Sequence, residues 1–166
     1  MNQSLKRISA ARGRPQTEVV DVLVSEAIRL TGSARGYFAV LSEDEAQLTM
    51  LGWSKSAMAA CRMMDKPLDY PVQATGLWGD CVRERKAVIT NDYPGCTRMT
   101  KKGYPDGHVD VVRHMNVPVM EGRKIRGIVG VGNRGRDYTA HDAEVLQAFA
   151  NAAWPIFAGM PAGKQA

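Results

Sequence analysis

Residues Arg113 to Asn133, RHMNVPVMEGRKIRGIVGVGN, constrain the fold more than any other stretch. They read as two strands joined by a tight turn. Val117-Pro118-Val119-Met120 closes the first strand, and Ile125 to Val131 forms the second, with Ile128, Val129 and Val131 set among small glycines. The turn is Glu121-Gly122-Arg123-Lys124, where Gly122 supplies the positive φ that a short hairpin needs. A hairpin this rich in β-branched residues belongs inside a sheet covered on both faces. The polar stretch Asn91 to His108 just upstream has neither helix nor strand period, and is expected to fold over the mouth of the hairpin.

The hairpin runs into Gly130-Val131-Gly132-Asn133-Arg134-Gly135, formally G-x-G-x-x-G. A dinucleotide loop would need a helix opening at the second glycine and a further parallel strand. Here Asp137 to Thr139 intervene and a single helix remains, so the glycines are read as close backbone approach and a turn.

Around the hairpin the chain alternates short strands and helices. Val19, Val20, Leu23, Val24, Ala27 and Ile28 recur at helical spacing, with Thr17 as N-cap and Thr31-Gly32 as the stop. Gly36 to Leu41 and Gln47 to Trp53 read as hairpin partners around Ser42 to Glu45. Ser54 or Ser56 caps a short helix through Cys61 and Met64. Pro67 and Pro71 confine any strand in Lys66 to Val72 to an edge. Leu77 to Arg85 reads as a second short helix, with Trp78, Cys81 and Val82 inward and Arg83 to Lys86 in solvent. Ala87 to Thr90 is a brief strand. Thr139 and Asp142 form a variant capping box for a last helix striped by Val145, Leu146, Phe149, Ala153 and Phe157, which Pro155 kinks or ends. Hairpin-paired strands between terminal helices predict an α+β domain. Its antiparallel sheet carries the terminal helices on one face, and the short helices and long loop over a pocket on the other. Residues 1–16 are expected as a flexible basic tail, 17–158 as the domain and 159–166 as a second flexible tail.

The chain has 166 residues, enough for one domain with a real core. Its net charge of +5 owes much to Lys6, Arg7, Arg12 and Arg14. Without interleaved aromatics these read as a solvated face, not as a nucleic-acid or membrane arm. The cysteines, Cys61, Cys81 and Cys96, lack disulfide-like spacing and fit a reduced, cytoplasmic setting. No apolar run approaches the roughly 20 residues that span a bilayer, and the start lacks a signal-peptide core, so no direct membrane contact is expected.

Several segments together resemble a GAF domain, the small-ligand sensory module of phosphodiesterases, phytochromes and signalling proteins. They are Gly76-Leu77-Trp78-Gly79, Val88-Ile89-Thr90-Asn91-Asp92-Tyr93, Asn116-Val117-Pro118-Val119, and Gly127 to Gly132 followed by Asp137-Tyr138-Thr139. The resemblance runs from about Thr17 to Phe157. Lys101 to His108 ahead of Arg113-His114-Met115 is similar to a bacterial subgroup found with histidine kinases and diguanylate cyclases. The resemblance implies a sensor of a small organic acid or similar polar molecule, a homodimer through the terminal helices, an output module elsewhere in a longer chain, and no enzymatic activity. It names no cofactor.

In such a fold Trp53, Trp78, Asn91, Asp92, Tyr93, His108, Arg113, His114 and Asn133 would converge on one face of the sheet. Apolar walls with a few polar groups suit a small-molecule pocket. Arg113 offers a planar fork for an anion, and His108 and His114 offer donors. The other reading is that the polar members tether the long loop to backbone groups. Strand alternation sends Arg113 and His114 to opposite faces, so at most one of them faces a given pocket. A metal site from His108, His114, Asp92 and Cys96 fails on ligand spacing. Free methionine sulfoxide reductases share the GAF fold, but their cysteine pattern is missing. Cys61 and Cys81 read as packing residues, and the flanks of Cys96 do not match a bilin attachment site. Met58, Met63 and Met64 read as core filler. A redox enzyme of the free methionine sulfoxide reductase type and a ligand-free dimerisation module are the alternatives.

Overall fold

The computed structural model describes residues 1–61, 68–104 and 106–159. Its helices are α1 (Asn2–Ala10), α2 (Gln16–Thr31), α3 (Lys55–Ala60), α4 (Asp80–Arg83) and α5 (Ala140–Ala158). Its strands are β1 (Arg35–Leu41), β2 (Gln47–Trp53), β3 (Asp69–Pro71), β4 (Val88–Thr90), β5 (His114–Glu121) and β6 (Lys124–Gly132). They form one antiparallel sheet in the order β3-β2-β1-β6-β5-β4. The β5–β6 hairpin lies inside it, and its turn places Gly122 at φ 60°. The proline-bearing β3 lies at an edge, as a strand missing ladder donors must.

Alternation along the strands divides the core between two faces. Phe38, Met115, Val117, Val119, Val129 and Val131 meet α1, α2 and α5 on one side. Ala39, Leu48, Met50, Ile125 and Ile128 meet Val72, Cys81, Val82 and Val88 on the other. The expected α+β architecture is therefore the observed one. Thr139 and Asp142 close a reciprocal capping box, and α5 runs through Pro155 instead of ending there.

Four details differ from expectation. The first residues are not a loose tail: α1 docks on α2, burying Ser4, Ile8 and Ala11. The cause lies in Glu26, a buried carboxylate on α2 that needs partners. Arg7 of α1 donates to it at 2.7 Å and Arg29 at 2.9 Å, while Arg29 also reaches Ser4 at 2.5 Å. Helix α2 opens at Gln16, not at a Thr17 cap, because the Pro15 carbonyl accepts from the amides of Glu18 and Val19. Arg83 is not a solvent residue. It donates to the Val72 and Gly76 carbonyls, to Thr75 and to Asp80, stapling the turn before α4. Met58 is 43% exposed instead of filling the core. Met63 and Met64 lie outside the described residues, as do positions 160–166 of the expected C-terminal tail.

Candidate functional site

On the face away from α2 and α5, the sheet, α3, the Leu77–Gly79 turn and the long loop enclose a cavity of about 320 Å³. Strand β1 contributes Tyr37, β2 contributes Met50 and Trp53, β5 contributes His114 and Asn116. Ala57, Met58 and Cys61 enter from α3 and its end, Tyr70 from β3, and Leu77 and Trp78 from the turn before α4. The loop adds Tyr93, Tyr104, His108, Val109 and Val111.

Aromatic contacts give the walls their shape. Tyr37 and Tyr70 each meet Trp78 edge to face, at 6.1 Å and 5.2 Å between centroids. Tyr93 stacks on Tyr104 at 5.7 Å, Tyr104 on His108 at 5.0 Å, and Tyr93 meets His114 at 5.6 Å. These offset and perpendicular arrangements are the favoured ones for aromatic quadrupoles. They tie the loop to β5 through side chains alone.

A polar chain crosses the floor. The Tyr37 hydroxyl donates to Asn116 Oδ1 at 2.8 Å. Asn116 Nδ2 then lies 2.8 Å from His114 Nδ1 and donates to it. The reverse amide orientation would leave the Tyr37 hydroxyl hydrogen without an acceptor among the described residues. His114 therefore accepts at Nδ1 and carries its proton on Nε2, which is buried and has no hydrogen-bond partner among the described residues. Burial pushes His114 down to about 4, with opposing smaller influences from Asp80 and Arg98, so the ring is neutral at pH 7. Burial also raises the Tyr37 hydroxyl well above its ordinary range. His108 Nδ1 donates to the Val109 carbonyl at 2.7 Å.

The polar residues singled out from the sequence divide into two groups. Trp53, Trp78, Tyr93, His108 and His114 line the cavity. Asn91, Asp92 and Arg113 do not. Asn91 brackets the backbone of Tyr138 with bonds of 3.0 and 2.8 Å. Asp92 accepts from the Gly95 amide within its own turn. Arg113 points outward and pairs with Asp137 at 2.8 Å, as alternation against His114 requires. Asn133 borders the cavity, but its side chain is committed to the Val112 amide and the Asp110 carbonyl. Tyr37, Asn116, Tyr70 and Tyr104 were missed. The legible signal was the polar pair His114 and Asn116, two apart on one face of an otherwise apolar strand.

The loop is also latched from below. Asp80, buried at the start of α4, accepts from Thr100 at 2.8 Å and from Arg98 at 3.0 Å. Cys81 lies deep in the core, where burial raises its thiol and makes it inert. Cys61 lines the cavity instead of packing in the core, and Cys96 is half-buried in the loop away from it. No group of His, Cys, Asp and Glu suited to a metal occurs among the described residues. No helix among them is long and apolar enough to cross a membrane.

The family model described as GAF domain matches residues 13–158. The chain belongs to the GAF domain family. This GAF domain is 42% identical over 154 residues to the methyl sulfide methyltransferase-associated sensor of Methanosarcina acetivorans, covering 93% of the chain. It spans only 15% of that relative's length. The GAF domain of an Acinetobacter phosphoenolpyruvate-protein phosphotransferase superposes with a TM-score of 0.69 at 16% identity, covering 95% of this chain and 92% of that one. The free methionine-R-sulfoxide reductase of Neisseria meningitidis, solved with its substrate, superposes at 0.64 with 12% identity, covering 95% and 87%. These last likenesses show a shared fold.

Proposed function

We propose that this GAF domain is the small-molecule-sensing module of a longer signal-transduction protein, and not an enzyme. The observation that carries the reading is the aromatic cavity between the long loop and the sheet. Its polar groups are already ordered, as a preformed ligand site requires. The name of the Methanosarcina relative, a sensor, supports the same reading. A ligand that favours one loop arrangement shifts the domain toward it by its differential affinity. The terminal helices α2 and α5, on the opposite face, carry that shift to a second copy and to an output module. A histidine kinase or diguanylate cyclase is the kind of output expected from the sequence.

A thermal-shift screen of small metabolites, neutral and acidic, tests the reading. A ligand at a hundred times its Kd adds about 2.7 kcal/mol, which raises the melting temperature of a domain this size by about 5–10 °C. Trp53 and Trp78 fluorescence should change with the same compound. If no compound moves either signal, the sensing role is lost. Light scattering on the same samples reports the proposed dimer, and a strict monomer at high concentration excludes it.

A further inference from the structure

We propose that the cavity selects a compact, neutral, largely apolar molecule with a single hydrogen-bond acceptor, which His114 meets with its Nε2–H. This rests on the sensing role proposed above and replaces the small organic acid or similar polar molecule expected from the sequence.

Three observations carry it. First, the fork that would hold an anion is elsewhere: Arg113 pairs outward with Asp137. Among the described lining residues the only arginine, lysine, aspartate or glutamate is Arg35, and it leans on the Asp110 carbonyl at 3.4 Å. An anion taken deep into the cavity would lose its hydration without a counter-charge among the described residues. Second, the deep polar groups are neutral and already spent on one another. Tyr37 donates to Asn116, and Asn116 donates to His114. One unmet capacity remains at the end of that chain, the donor on His114 Nε2. His114 is only 8% exposed, so bulk water does not supply the missing partner. A buried donor left unpaired is a standing cost that an incoming acceptor removes. Third, the surrounding surface is apolar and aromatic, supplied by Met50, Trp53, Leu77, Trp78 and Tyr93. Such walls reward an apolar, flat body.

The chain of bonds also explains why the donor is fixed. Gly130 of β6 lies beneath it, and a Cβ there would sit 2.1 Å from the Tyr37 ring and 2.6 Å from Asn116 Oδ1. The glycine therefore leaves room for Tyr37 to reach Asn116, and Tyr37 sets the amide that sets the histidine tautomer.

Three isosteric probes test the proposal on the 166-residue chain. They are acetophenone, α-methylstyrene and benzoate, read by tryptophan fluorescence titration and by nitrogen NMR of the imidazoles. Acetophenone should bind about tenfold more tightly than α-methylstyrene, which has the same shape but no carbonyl acceptor. Benzoate should bind most weakly. In His114→Phe the ketone should fall to the level of the alkene, with the alkene unchanged. The unliganded protein should show His114 protonated at Nε2 alone, a readout that needs no variant. Equal affinity for ketone and alkene, tightest binding by benzoate, or a proton on Nδ1 would each overturn the proposal while leaving a ligand-binding cavity intact. Failure of all three probes to bind would overturn the proposal, and the metabolite screen above then decides the sensing role separately.

Discussion

Folding hides His114 from protons, and that has a measurable consequence. Its folded value near 4 lies below the ordinary 6.5, chiefly through burial against β4, α4 and the loop. As pH falls between those values the unfolded chain takes up a proton that the folded chain refuses, so stability falls with pH in that window. The loss should be about 2 kcal/mol between pH 7.5 and pH 5. Asp80 and Arg98, the charged groups near the ring, act in opposite directions and leave burial in command. Carboxylates with ordinary values of 4.5 and below stay mostly ionised at pH 5, so the window belongs largely to histidine. Urea melts of the parent and of His114→Phe at the two pH values measure the difference. The variant should lose most of the slope, and an unchanged slope would show that the ring is protonated when folded. Gly130 makes the same point about single residues. It sits in a run that imitates a nucleotide motif, yet what it provides is space under Tyr37.

The first helix shows how an element can be decided by one distant charge. Alone, α1 has little to recommend it: Leu5 and Ile8 are its large apolar residues, and the basic Lys6 and Arg7 lie between them. Glu26 settles the matter from α2. Burial opposes its ionisation, but bonds from Arg29, Arg7 and Ser4 outweigh that and hold it at about 2. The stability it contributes is present above its ordinary 4.5 and is lost as pH falls toward 2. Ile8 fills the contact completely, so Ile8→Ala should cost about 3 kcal/mol by urea denaturation at pH 7. Glu26→Gln should flatten the acid limb below pH 4.5. A loss under about 0.5 kcal/mol for Ile8→Ala would mean that α1 is not docked. What the sequence made legible were elements whose signals are local: the β5–β6 hairpin through its alternation and Gly122, α2 through its apolar spacing, α5 through Thr139 and Asp142. What it hid were pairings across long separations. Tyr37 and Asn116 are 79 residues apart, and Asn116 stood out only as part of the family-like segment Asn116-Val117-Pro118-Val119. Arg83 looked like solvent because two of its acceptors, the Val72 and Gly76 carbonyls, are backbone groups that no side-chain pattern advertises. For the cavity, the tryptophans, Tyr93 and the histidines were legible as types suited to a pocket, whereas Asn91, Asp92 and Asn133 proved to hold backbone in place.

At the scale of the molecule, the sheet is a plate with a cavity on one side and helices on the other, and neighbouring residues of one strand serve both. On β1, Tyr37 starts the polar chain in the cavity while Phe38 packs edge to face on Phe157 of α5 at 5.1 Å. On β5, His114 and Asn116 face the cavity while Met115 and Val117 lie in the helix-side core. A shift of either strand that suits a ligand must therefore also be accommodated by α5, because a core packed at crystal-like density transmits displacement instead of absorbing it. The proposed signalling between the two faces would carry a reciprocal coupling free energy, typically about 1–3 kcal/mol for such couplings. Saturating acetophenone should then change amide exchange along Leu146 to Phe157 as well as in the loop. Phe38→Ala removes the ring on the helix side without touching the cavity. It should leave ketone affinity within about threefold while abolishing the exchange change in α5. If α5 never responds in the parent protein, the sheet does not relay. If it responds equally in Phe38→Ala, the relay runs through β5 alone.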